Sequence, residues 1–258
     1  MIADKVINDK PAAPTKANEN SLAGLLQKKA NAKHEYYIVE DKNISRFLGN
    51  IEKKQKESVA ITLAGGQGSM KTRLCFQLMN TFAQNYKVGH ASIEEHPESA
   101  LYLDKVHQYC NEKALHNISA PEINSIADVH KLVKENDVIV IDSFSKLQEM
   151  QKGCELDKDF RKAYNGKLFI IIYQLTSDGK MRGGSKSQFD GDCIGFIEKK
   201  PNYKENYVYW DKNRYNKEPE LKFNIYSGKI QHDEQPEIET PINNVQPKEN
   251  DVFSFKIN

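Results

Sequence analysis

The sequence predicts an α/β fold in which helices flank a mostly parallel central sheet that continues into a C-terminal antiparallel β extension. Between residues 58 and 174, apolar runs rich in β-branched residues alternate with segments of helical periodicity. After that point, strand patterns follow one another with only turns between them. Strands joined by helices pair in parallel and strands joined by short turns pair antiparallel, so the two halves of the chain predict the two parts of the sheet.

Four apolar runs predict the parallel strands. They are SVAITLA (58–64), KVGHASI (87–93), DVIVID (137–142) and KLFIIIYQ (167–174). Runs such as DVIVID carry apolar residues on both faces, which is typical of strands that helices cover on both sides. The antiparallel extension is predicted from the segments CIGFIEK, NYVYWDK and LKFNIYSGKI, which begin at residues 193, 206 and 221.

Helices are predicted between these strands. The segment 71–85 places Leu74 and Phe82 on one face of a helix. A second helix is predicted from Pro97, a residue that suits the first helical turn, to about residue 110. A helix in each position supplies the crossover connection that a pair of parallel strands requires.

The two ends of the chain differ in composition from this core, which spans residues 34–231. Residues 1–33 are rich in Lys, Asn, Ala and Pro and predict a flexible arm, with one short helix expected in SLAGLLQKKA after a capping Ser21. Residues 232–258 predict a disordered polar tail that ends in the apolar DVFSFKIN. Either end is a candidate for recruiting a protein partner, and an ordinary frayed terminus is the alternative.

Charge and cysteine content exclude several classes of protein. The 37 Lys and Arg residues balance 36 Asp and Glu residues, so the net charge of +1 excludes a globally basic nucleic-acid wrapper but leaves room for basic loops. The four cysteines lie far apart without a CxxC pair, which predicts neither a zinc ribbon nor a disulfide framework and suits a cytoplasmic protein. No apolar run is long enough to span a bilayer, and the first twenty residues lack the apolar centre of a signal peptide, so we expect no membrane partner.

A glycine-rich segment, AGGQGSMKT, lies between the first predicted strand and the helix that follows it. Gly65, Lys71 and Thr72 match the phosphate-loop pattern GxxxxGK(S/T) in register, and Met70 occupies the position of the glycine before the lysine. Such a loop holds phosphate oxygens with its backbone N–H groups, its lysine and the start of the following helix. The residues predicted to bind nucleotide are Gly65, Gly66, Gln67, Gly68, Ser69, Met70, Lys71, Thr72 and Arg73.

Met70 departs from this pattern. A side chain at this position adds bulk and restricts the backbone where it approaches phosphate, but the N–H of the residue is retained. We therefore expect nucleotide binding to persist in a modified loop geometry, with Met70 affecting affinity or rate. A glycine-rich turn that arose by chance is the alternative, which the correctly placed lysine and threonine disfavour.

Polar side chains follow or end the neighbouring predicted strands. Asp142 closes DVIVID at the C-terminal edge of the parallel sheet, where ligands of open α/β folds bind, and it is the candidate Mg²⁺ ligand together with Thr72. Glu94 and Glu95 follow the second strand, and one of them is expected to activate water. For Glu95 the alternative is a residue that complements the dipole of the next helix. Gln174 closes its own strand and suits contact with a γ-phosphate.

The order of these motifs resembles that of the RecA-like core ATPases, with SIEEH, VIVIDS, FIIIYQLTSDGKMRGG and DKNRYN following the phosphate loop. The similarity spans about residues 36–231 and is greatest to the bacterial RadA branch and its relatives, the DnaB-type replicative helicases. It implies a RecA-like P-loop NTPase core that binds ATP and Mg²⁺. In this core Lys71 and Thr72 contact phosphate and metal, Glu94 is the catalytic carboxylate, and Asp142 is the Walker B acid.

The segment DKNRYN resembles the RadA motif KNRFG. Lys212, Asn213 and Arg214 match, whereas Tyr215 replaces Phe and Asn216 replaces Gly. The resemblance implies that Lys212 and Arg214 enter the nucleotide site of an adjacent subunit, so that hydrolysis depends on self-assembly into a ring or filament, hexameric or helical. The zinc ribbon and Lon-like domain of RadA have no counterpart in the sequence, which leaves the specific task of RadA open while the ATPase class stands.

The segment 175–192, LTSDGKMRGGSKSQFDGD, combines glycines with the basic residues Lys180, Arg182 and Lys186. In RecA-like proteins the segment at this position lines the central axis and contacts single-stranded DNA, so the resemblance implies DNA binding by these three residues. Contact of this kind is independent of DNA sequence and weakens as the salt concentration rises. An ordinary solvated loop is the alternative.

These expectations describe an ATP-binding and ATP-hydrolysing RecA/RadA-like protein that acts on single-stranded DNA in recombination, repair or replication. Two alternatives stay open. One is a DnaB-type helicase or branch-migration motor that moves along DNA. The other is a nucleotide-binding assembly or scaffold protein in which Met70 has slowed or ended turnover.

Overall fold

A nine-stranded sheet organises the part of the chain that the computed structural model describes, which comprises residues 18–31, 34–176, 179, 181 and 190–231. In chain order the strands are β1 (Val59–Gly65), β2 (Val88–Ser92), β3 (Ile118–Ser119), β4 (Val138–Asp142), β5 (Leu168–Gln174), β6 (Cys193–Glu198), β7 (Tyr207–Asn213), β8 (Lys222–Asn224) and β9 (Lys229–Gln231). Their order across the sheet is β3-β2-β4-β5-β1-β6-β7-β8-β9. The first six pair in parallel and the last three continue antiparallel, which confirms the predicted fold class.

Helices flank this sheet on both faces. The α-helices of the described residues are α1 (Leu22–Asn31), α2 (Lys42–Leu48), α3 (Lys71–Phe82), α4 (Ala100–Tyr109), α5 (Glu112–Asn117), α6 (Ile126–Glu135) and α7 (Phe144–Met150). A π-helical turn spans Leu156–Arg161, and a 3-10 turn spans Tyr203–Glu205. Side chains of α2 to α5 belong to one apolar cluster, and those of α6, α7 and the π-helical turn belong to a second. Among these helices none has the length and apolarity needed to cross a membrane.

The central strands are buried along their whole length because the two helical layers cover alternate side chains of each strand. In β4, Val138 and Val140 belong to the cluster of α3, whereas Ile139 and Ile141 belong to the cluster of α6 and α7. At the extension, Phe47 of α2 stacks on Trp210 of β7 with ring centroids 4.5 Å apart. The period of two along each strand thus divides the apolar side chains between two cores.

Some element boundaries differ from those that the sequence predicts. α4 begins at Ala100 rather than at Pro97, because Ser99 Oγ accepts a hydrogen bond from Tyr102 N at 3.1 Å and caps the helix there. The segment LKFNIYSGKI forms the β8–β9 hairpin rather than one strand, since the left-handed Gly228 (φ 69°) lets the chain turn. β6 pairs in parallel with β1, so the antiparallel extension begins at β7.

The ends of the chain lie largely outside the described residues, so the flexible arm, the disordered tail and the partners of both stay predictions. The structure has the short helix α1, and Ser21 Oγ accepts a hydrogen bond from Gly24 N at 3.1 Å in its first turn. The apolar side chains Leu22, Leu25 and Leu26 of this helix are exposed. α1 therefore adds no apolar residue to the two clusters of the core.

Candidate nucleotide-binding site

The phosphate loop lies between the end of β1 at Gly65 and the start of α3 at Lys71. Gly65 has no room for a side chain, since a Cβ there would lie 2.4 Å from Ser69 Oγ. Gly68 has a left-handed backbone with φ 73°, which glycine adopts without strain. Lys71 Nζ donates hydrogen bonds to the carbonyl oxygens of Gly65 and Gly66, at 3.1 and 2.8 Å, and so lies across the loop.

Met70 also has the left-handed conformation, with φ 74° and ψ 25°, at the residue before α3. A side chain in this conformation costs roughly 1 kcal/mol, which explains why the phosphate-loop pattern has glycine here. The Met70 side chain packs against the core cluster of α3, and Met70 O accepts the first helical hydrogen bond from Leu74 N at 3.1 Å. The backbone at this position is therefore one that glycine favours, and the departure from the pattern lies in the side chain.

Residues from separate parts of the chain line a cavity of about 630 Å³ beside the loop. They are Gln67, Gly68, Ser69, Met70, Lys71, Thr72, Glu94, Asp142, Gln174 and Leu175. The parallel register brings them together, because Gly65 of β1 pairs with Gln174 of β5 and Asp142 ends the next strand along the sheet. Of the residues predicted to bind nucleotide, Gly65, Gly66 and Arg73 do not line this cavity.

Two hydrogen bonds hold the Glu94 carboxylate at the cavity. Ser143 Oγ and Gln174 Nε2 both donate to Glu94 Oε1, at 2.5 and 2.6 Å. The second carboxylate oxygen accepts no hydrogen bond from the described residues. An oriented carboxylate with one oxygen left for a ligand or a water molecule suits a general base. Ser143 was not predicted, although its place directly after Asp142 in VIVIDS is the signal that marks it.

Glu95 takes a different partner. Its Oε2 accepts a hydrogen bond from Lys105 Nζ of α4 at 2.6 Å, and its backbone oxygen accepts one from Ser92 Oγ at 2.6 Å. Glu95 and Lys105 line an adjoining cavity of about 370 Å³ rather than the cavity of the phosphate loop. Of the two neighbouring glutamates, Glu94 is thus the one placed beside the loop, and Glu95 forms an ion pair.

Asp142 is buried at the end of β4, with 7% of its surface exposed. Burial, followed by repulsion from Glu94, raises the pKa of its carboxyl group to about 6, while Lys71 acts in the opposite direction. Burial lowers the pKa of Lys71, and the negative charges of Asp142 and Glu94 oppose that effect. The cavity therefore holds two acidic groups and one ammonium group in a partly dehydrated environment.

The residues present suit Mg²⁺ that is held jointly with phosphate oxygens. No group of three or more His, Cys, Asp or Glu side chains within the described ranges is arranged to hold a metal ion. Mg²⁺ commonly takes one or two protein ligands and completes its shell with phosphate oxygens and water, and Thr72 and Asp142 both line the cavity. Ser69 Oγ is buried without a hydrogen-bond partner among the described residues, so the loop also offers a polar group that a phosphate oxygen can pair with.

Lys212 and Arg214 lie at the opposite edge of the sheet from this cavity. β7 is antiparallel to β6, and Lys212 pairs with Ile194 near the start of β6. Lys212 Nζ donates a hydrogen bond to Gly191 O at 2.8 Å, and burial, followed by the nearby Arg214, lowers the pKa of this lysine. Within one subunit these two cations therefore do not meet the phosphate loop, and their role in a neighbouring site stays a prediction.

Arg214 belongs to an ion cluster around Asp192, whose side chain is 1% exposed. The Asp192 carboxylate accepts hydrogen bonds or ion pairs from Arg214, Arg161 and Lys54, each at 3.3 Å, and from Ala60 N at 3.1 Å. These partners come from segments far apart in the sequence, so no local pattern marks the cluster. Asp192 ends the connection between β5 and β6, and the cluster thus ties that connection to β1 and to Arg214.

The predicted DNA-binding residues Lys180, Arg182 and Lys186 lie outside the described residues, and their role stays a prediction. Within the same connection, Leu175 forms an isolated antiparallel bridge with Met181. Met181 is buried in the apolar cluster of α6 and α7. The described part of the connection is therefore anchored on the face of the sheet that these two helices cover.

Arg73 extends toward the β8–β9 turn. Its guanidinium donates a hydrogen bond to Tyr226 O at 2.8 Å, and Cζ lies 4.7 Å from the ring centroid of Tyr226 and 5.3 Å from that of Tyr109. Tyr226 exposes 37% of its surface and meets Tyr203 edge to face at a centroid distance of 5.5 Å. An exposed aromatic side chain thus lies beside the first turn of α3, a contact that the sequence alone did not predict.

Asp142→Asn is expected to stabilise the ligand-free protein at neutral pH. The raised pKa means that the folded state holds the proton more tightly than the unfolded chain, so stability falls as the pH rises from the unfolded pKa of about 4 to about 6. Above that range the buried charge costs up to about 3 kcal/mol of the free energy of unfolding, and asparagine removes this cost. Melting temperatures measured in EDTA should show a gain at pH 8 that roughly halves at pH 5.

The exposed Asp104 of α4 provides the control, because Asp104→Asn removes the same charge from a solvated position. This variant should not reproduce the stability gain of Asp142→Asn at pH 8. A stability gain for Asp142→Asn that is equal at pH 8 and pH 5, or absent at both, would contradict a raised pKa.

Solved structures of low sequence identity share the fold. The flagellar accessory protein FlaH from Methanocaldococcus jannaschii matches with a TM-score of 0.56 and 17% identity, over 78% of this chain and 100% of its own. A KaiC-like protein from Pyrococcus horikoshii OT3 has a TM-score of 0.50 and 18% identity over 67% of this chain and 88% of its own. The RadB recombinase has a TM-score of 0.50 and 17% identity over 73% of this chain and 96% of its own.

No protein-family model and no curated protein sequence matches the chain. The particular likeness to RadA and DnaB therefore stays a prediction. The coarser expectation is confirmed, because the sheet order, the phosphate loop at the end of β1 and the structural neighbours agree. The chain has the fold of the RecA-like P-loop ATPases.

Proposed function

We propose that the protein is a Mg²⁺-dependent ATPase that assembles into a ring or filament and acts on single-stranded DNA in recombination, repair or replication. The observation that carries this proposal is the convergence of Lys71, Thr72, Glu94, Asp142 and Gln174 on one cavity beside a phosphate loop. Nucleotide binding requires the loop and its lysine, whereas hydrolysis also requires a carboxylate that holds metal and a group that orients water. The cavity contains residues suited to both tasks.

The loop and α3 bind the phosphates of ATP in this proposal. Backbone N–H groups of residues 66–70 and the N-terminal end of α3 attract phosphate oxygens, and Lys71 exchanges its two carbonyl partners for the terminal phosphates. Thr72 and Asp142 would hold Mg²⁺, which when bound would supply positive charge that offsets the charge of the phosphates.

Glu94 is the proposed base. Its Oε1 is held by Ser143 and Gln174, so Oε2 is the oxygen that accepts a proton from the water that attacks the γ-phosphate. Gln174 is also the last residue of β5, where the connection 175–192 begins. A change in its hydrogen bond to Glu94 during turnover alters the start of the segment proposed to contact DNA.

Lys212 and Arg214 complete the site of an adjacent subunit in this proposal. Their position at the far edge of the sheet is unsuited to action on their own nucleotide. A cation supplied from a neighbour stabilises the charge of the transition state only after assembly, so turnover depends on the oligomer. The similarity in fold to the RadB recombinase supports the DNA task, and the helicase, branch-migration and scaffold alternatives are separated by the measurements below.

Glu94→Gln is expected to lower ATP turnover by a factor of about 100 or more, with ATP binding close to that of the wild type. Glutamine keeps an oxygen for the hydrogen bonds from Ser143 and Gln174 but does not accept a proton from water. Turnover is measured as phosphate release with and without single-stranded DNA, and binding is measured by calorimetry.

Glu95→Gln is the matched control, because it removes the same charge one residue away, from a side chain that pairs with Lys105. Equal losses in the two variants would contradict the role of Glu94 as base. Wild-type turnover no faster than that of Lys71→Ala, with and without DNA, would favour the scaffold alternative. DNA that neither binds at low salt nor stimulates turnover would remove the DNA task, whereas displacement of a paired strand would favour the motor alternative.

Arg214→Ala is expected to lower turnover by about 10³-fold or more while ATP binding is retained. Asp192 keeps Arg161 and Lys54 as partners, so the fold should survive, which the melting temperature checks. Subunits carrying Arg214→Ala should regain turnover when mixed with Glu94→Gln subunits, since some junctions then combine an intact Glu94 with an intact Arg214.

The control mixture combines Arg214→Ala subunits with subunits that carry both substitutions. Each junction in this mixture lacks an arginine, so turnover should stay low. Failure of the first mixture to recover would contradict action in a neighbouring subunit, as would loss of ATP binding by Arg214→Ala alone.

Met70→Gly is expected to change ATP affinity by less than about threefold, because glycine readily takes the left-handed backbone that Met70 already has. Met70→Ile has a side chain of similar volume but a branched Cβ that disfavours this conformation, and it should weaken binding by about tenfold or more. Calorimetry with ATP and Mg²⁺ compares the three proteins. Much tighter binding or faster turnover by Met70→Gly would contradict this account and assign the restraint to the methionine side chain itself.

A further inference from the structure

Lys199 contacts the phosphate loop from outside the nucleotide cavity. It directly follows β6, whose end lies beside the end of β1 because Ile197 pairs with Gly65. Lys199 Nζ donates a hydrogen bond to Gln67 O at 3.1 Å, and a Cβ on Gly68 would lie 3.3 Å from the same nitrogen. Lys199 is exposed and does not line the cavity.

The bond from Lys199 to Gln67 O determines the direction of the Gly68 N–H. The C=O and the N–H of a trans peptide point in opposite directions, and the Gln67–Gly68 peptide bond is trans. With its oxygen turned toward Lys199, this peptide directs the Gly68 N–H away from Lys199. Gln67 and Gly68 both line the cavity, whereas Lys199 does not.

Few other contacts hold the tip of the loop. Ser69 N donates to Gly66 O at 3.3 Å, which is a long hydrogen bond, and Ser69 Oγ has no hydrogen-bond partner among the described residues. Gly68 has no side chain and a left-handed backbone, so packing does little to fix the peptide before it. Within the described residues, the ammonium group of Lys199 is the hydrogen-bond donor to the oxygen of this peptide, and it therefore restrains the peptide's orientation.

We propose that Lys199 is a positioning residue for nucleotide binding, whose ammonium group fixes the Gln67–Gly68 peptide so that the Gly68 N–H meets the phosphates of a nucleoside di- or triphosphate. This role rests on the proposed function, since it concerns the same site and its ligand. The contact comes from the same subunit, unlike those proposed for Lys212 and Arg214. It serves ATP and ADP alike, because loop N–H groups contact the phosphates that both nucleotides share.

Dissociation constants of ADP and of a non-hydrolysable ATP analogue, measured with Mg²⁺ by calorimetry, test this role. Lys199→Ala is expected to weaken both by about three- to tenfold, the effect of one hydrogen bond, and Lys199→Arg should recover most of the loss because it keeps a cationic donor. Lys200 is the matched control, since it carries the same charge but contacts Glu198 at 3.7 Å and the ring of Tyr207. Lys200→Ala should change both affinities by less than about twofold.

Several results would overturn the role. Weaker binding of the ATP analogue alone would mean direct contact with the γ-phosphate, and an equal loss in Lys200→Ala would mean general electrostatic attraction. Unchanged affinity in Lys199→Ala, or a loss that Lys199→Arg does not recover and that accompanies a lower melting temperature, would also exclude positioning through the peptide. These outcomes leave the proposed function intact, whereas a wild-type protein that binds neither nucleotide would remove the proposed function and this role together.

Discussion

The parallel register around β1 is the constraint on which the candidate site depends. β1 lies between β5 and β6, and its pairing with both brings Gly65, Gln174 and Ile197 to one level at the C-terminal edge of the sheet. The same alignment continues outward, where Asp142 of β4 pairs with Ser92 of β2. These strands are buried on both faces, so a slip of one residue would exchange the side chains of the two apolar clusters. Core packing therefore sets the geometry of the site, and the loops only complete it.

The charges at this edge of the sheet are poorly balanced in the ligand-free protein. Asp142 and Glu94 repel each other, which contributes to the raised pKa of Asp142, and Lys71 pairs with backbone oxygens rather than with a carboxylate. A fold selected for stability alone would have little reason to bury such a group. In the proposed function this imbalance favours ligand binding. Bound Mg²⁺ would offset the negative charges of Asp142 and Glu94, and Lys71 would exchange its carbonyl partners for phosphate oxygens. Ligand binding then supplies the charge-compensating contacts that the folded protein alone lacks.

The residues that were predictable from the sequence share a simple physical origin. Asp142, Glu94 and Gln174 follow or end apolar runs, and parallel strands end at one edge, so local pattern and topology together bring them to one cavity. The Lys199 contact forms because β6 pairs with β1, and no local sequence pattern predicts this pairing of two distant segments. The Asp192 cluster likewise draws its cations from three distant segments.

Local backbone geometry limited prediction in a second way. Met70 could be recognised as a departure from the phosphate-loop pattern, but its left-handed conformation follows from the tight path between β1 and α3 rather than from the preference of methionine. The hairpin of β8 and β9 is a second feature of this kind. Gly228 divides one apolar segment into two strands, and the turn between them places Tyr226 beside the first turn of α3. The Ser227–Gly228 pair is the local turn signal within this segment, and the apolar residues on either side of it pair as the two strands.

The two edges of the sheet carry complementary groups. The cavity with Asp142 and Glu94 lies at the C-terminal edge, and Arg214 lies with Asp192 at the N-terminal edge, separated by the full length of β6. A single subunit does not bring them together, whereas in the proposed function head-to-tail contact between identical subunits would place one edge against the other at each junction. Such contact yields a ring when the rotation closes and a filament when it does not. In the proposed function the need for assembly therefore follows from sheet topology: β7 returns antiparallel to β6 and delivers its terminal cations to the edge where the subunit has no nucleotide of its own.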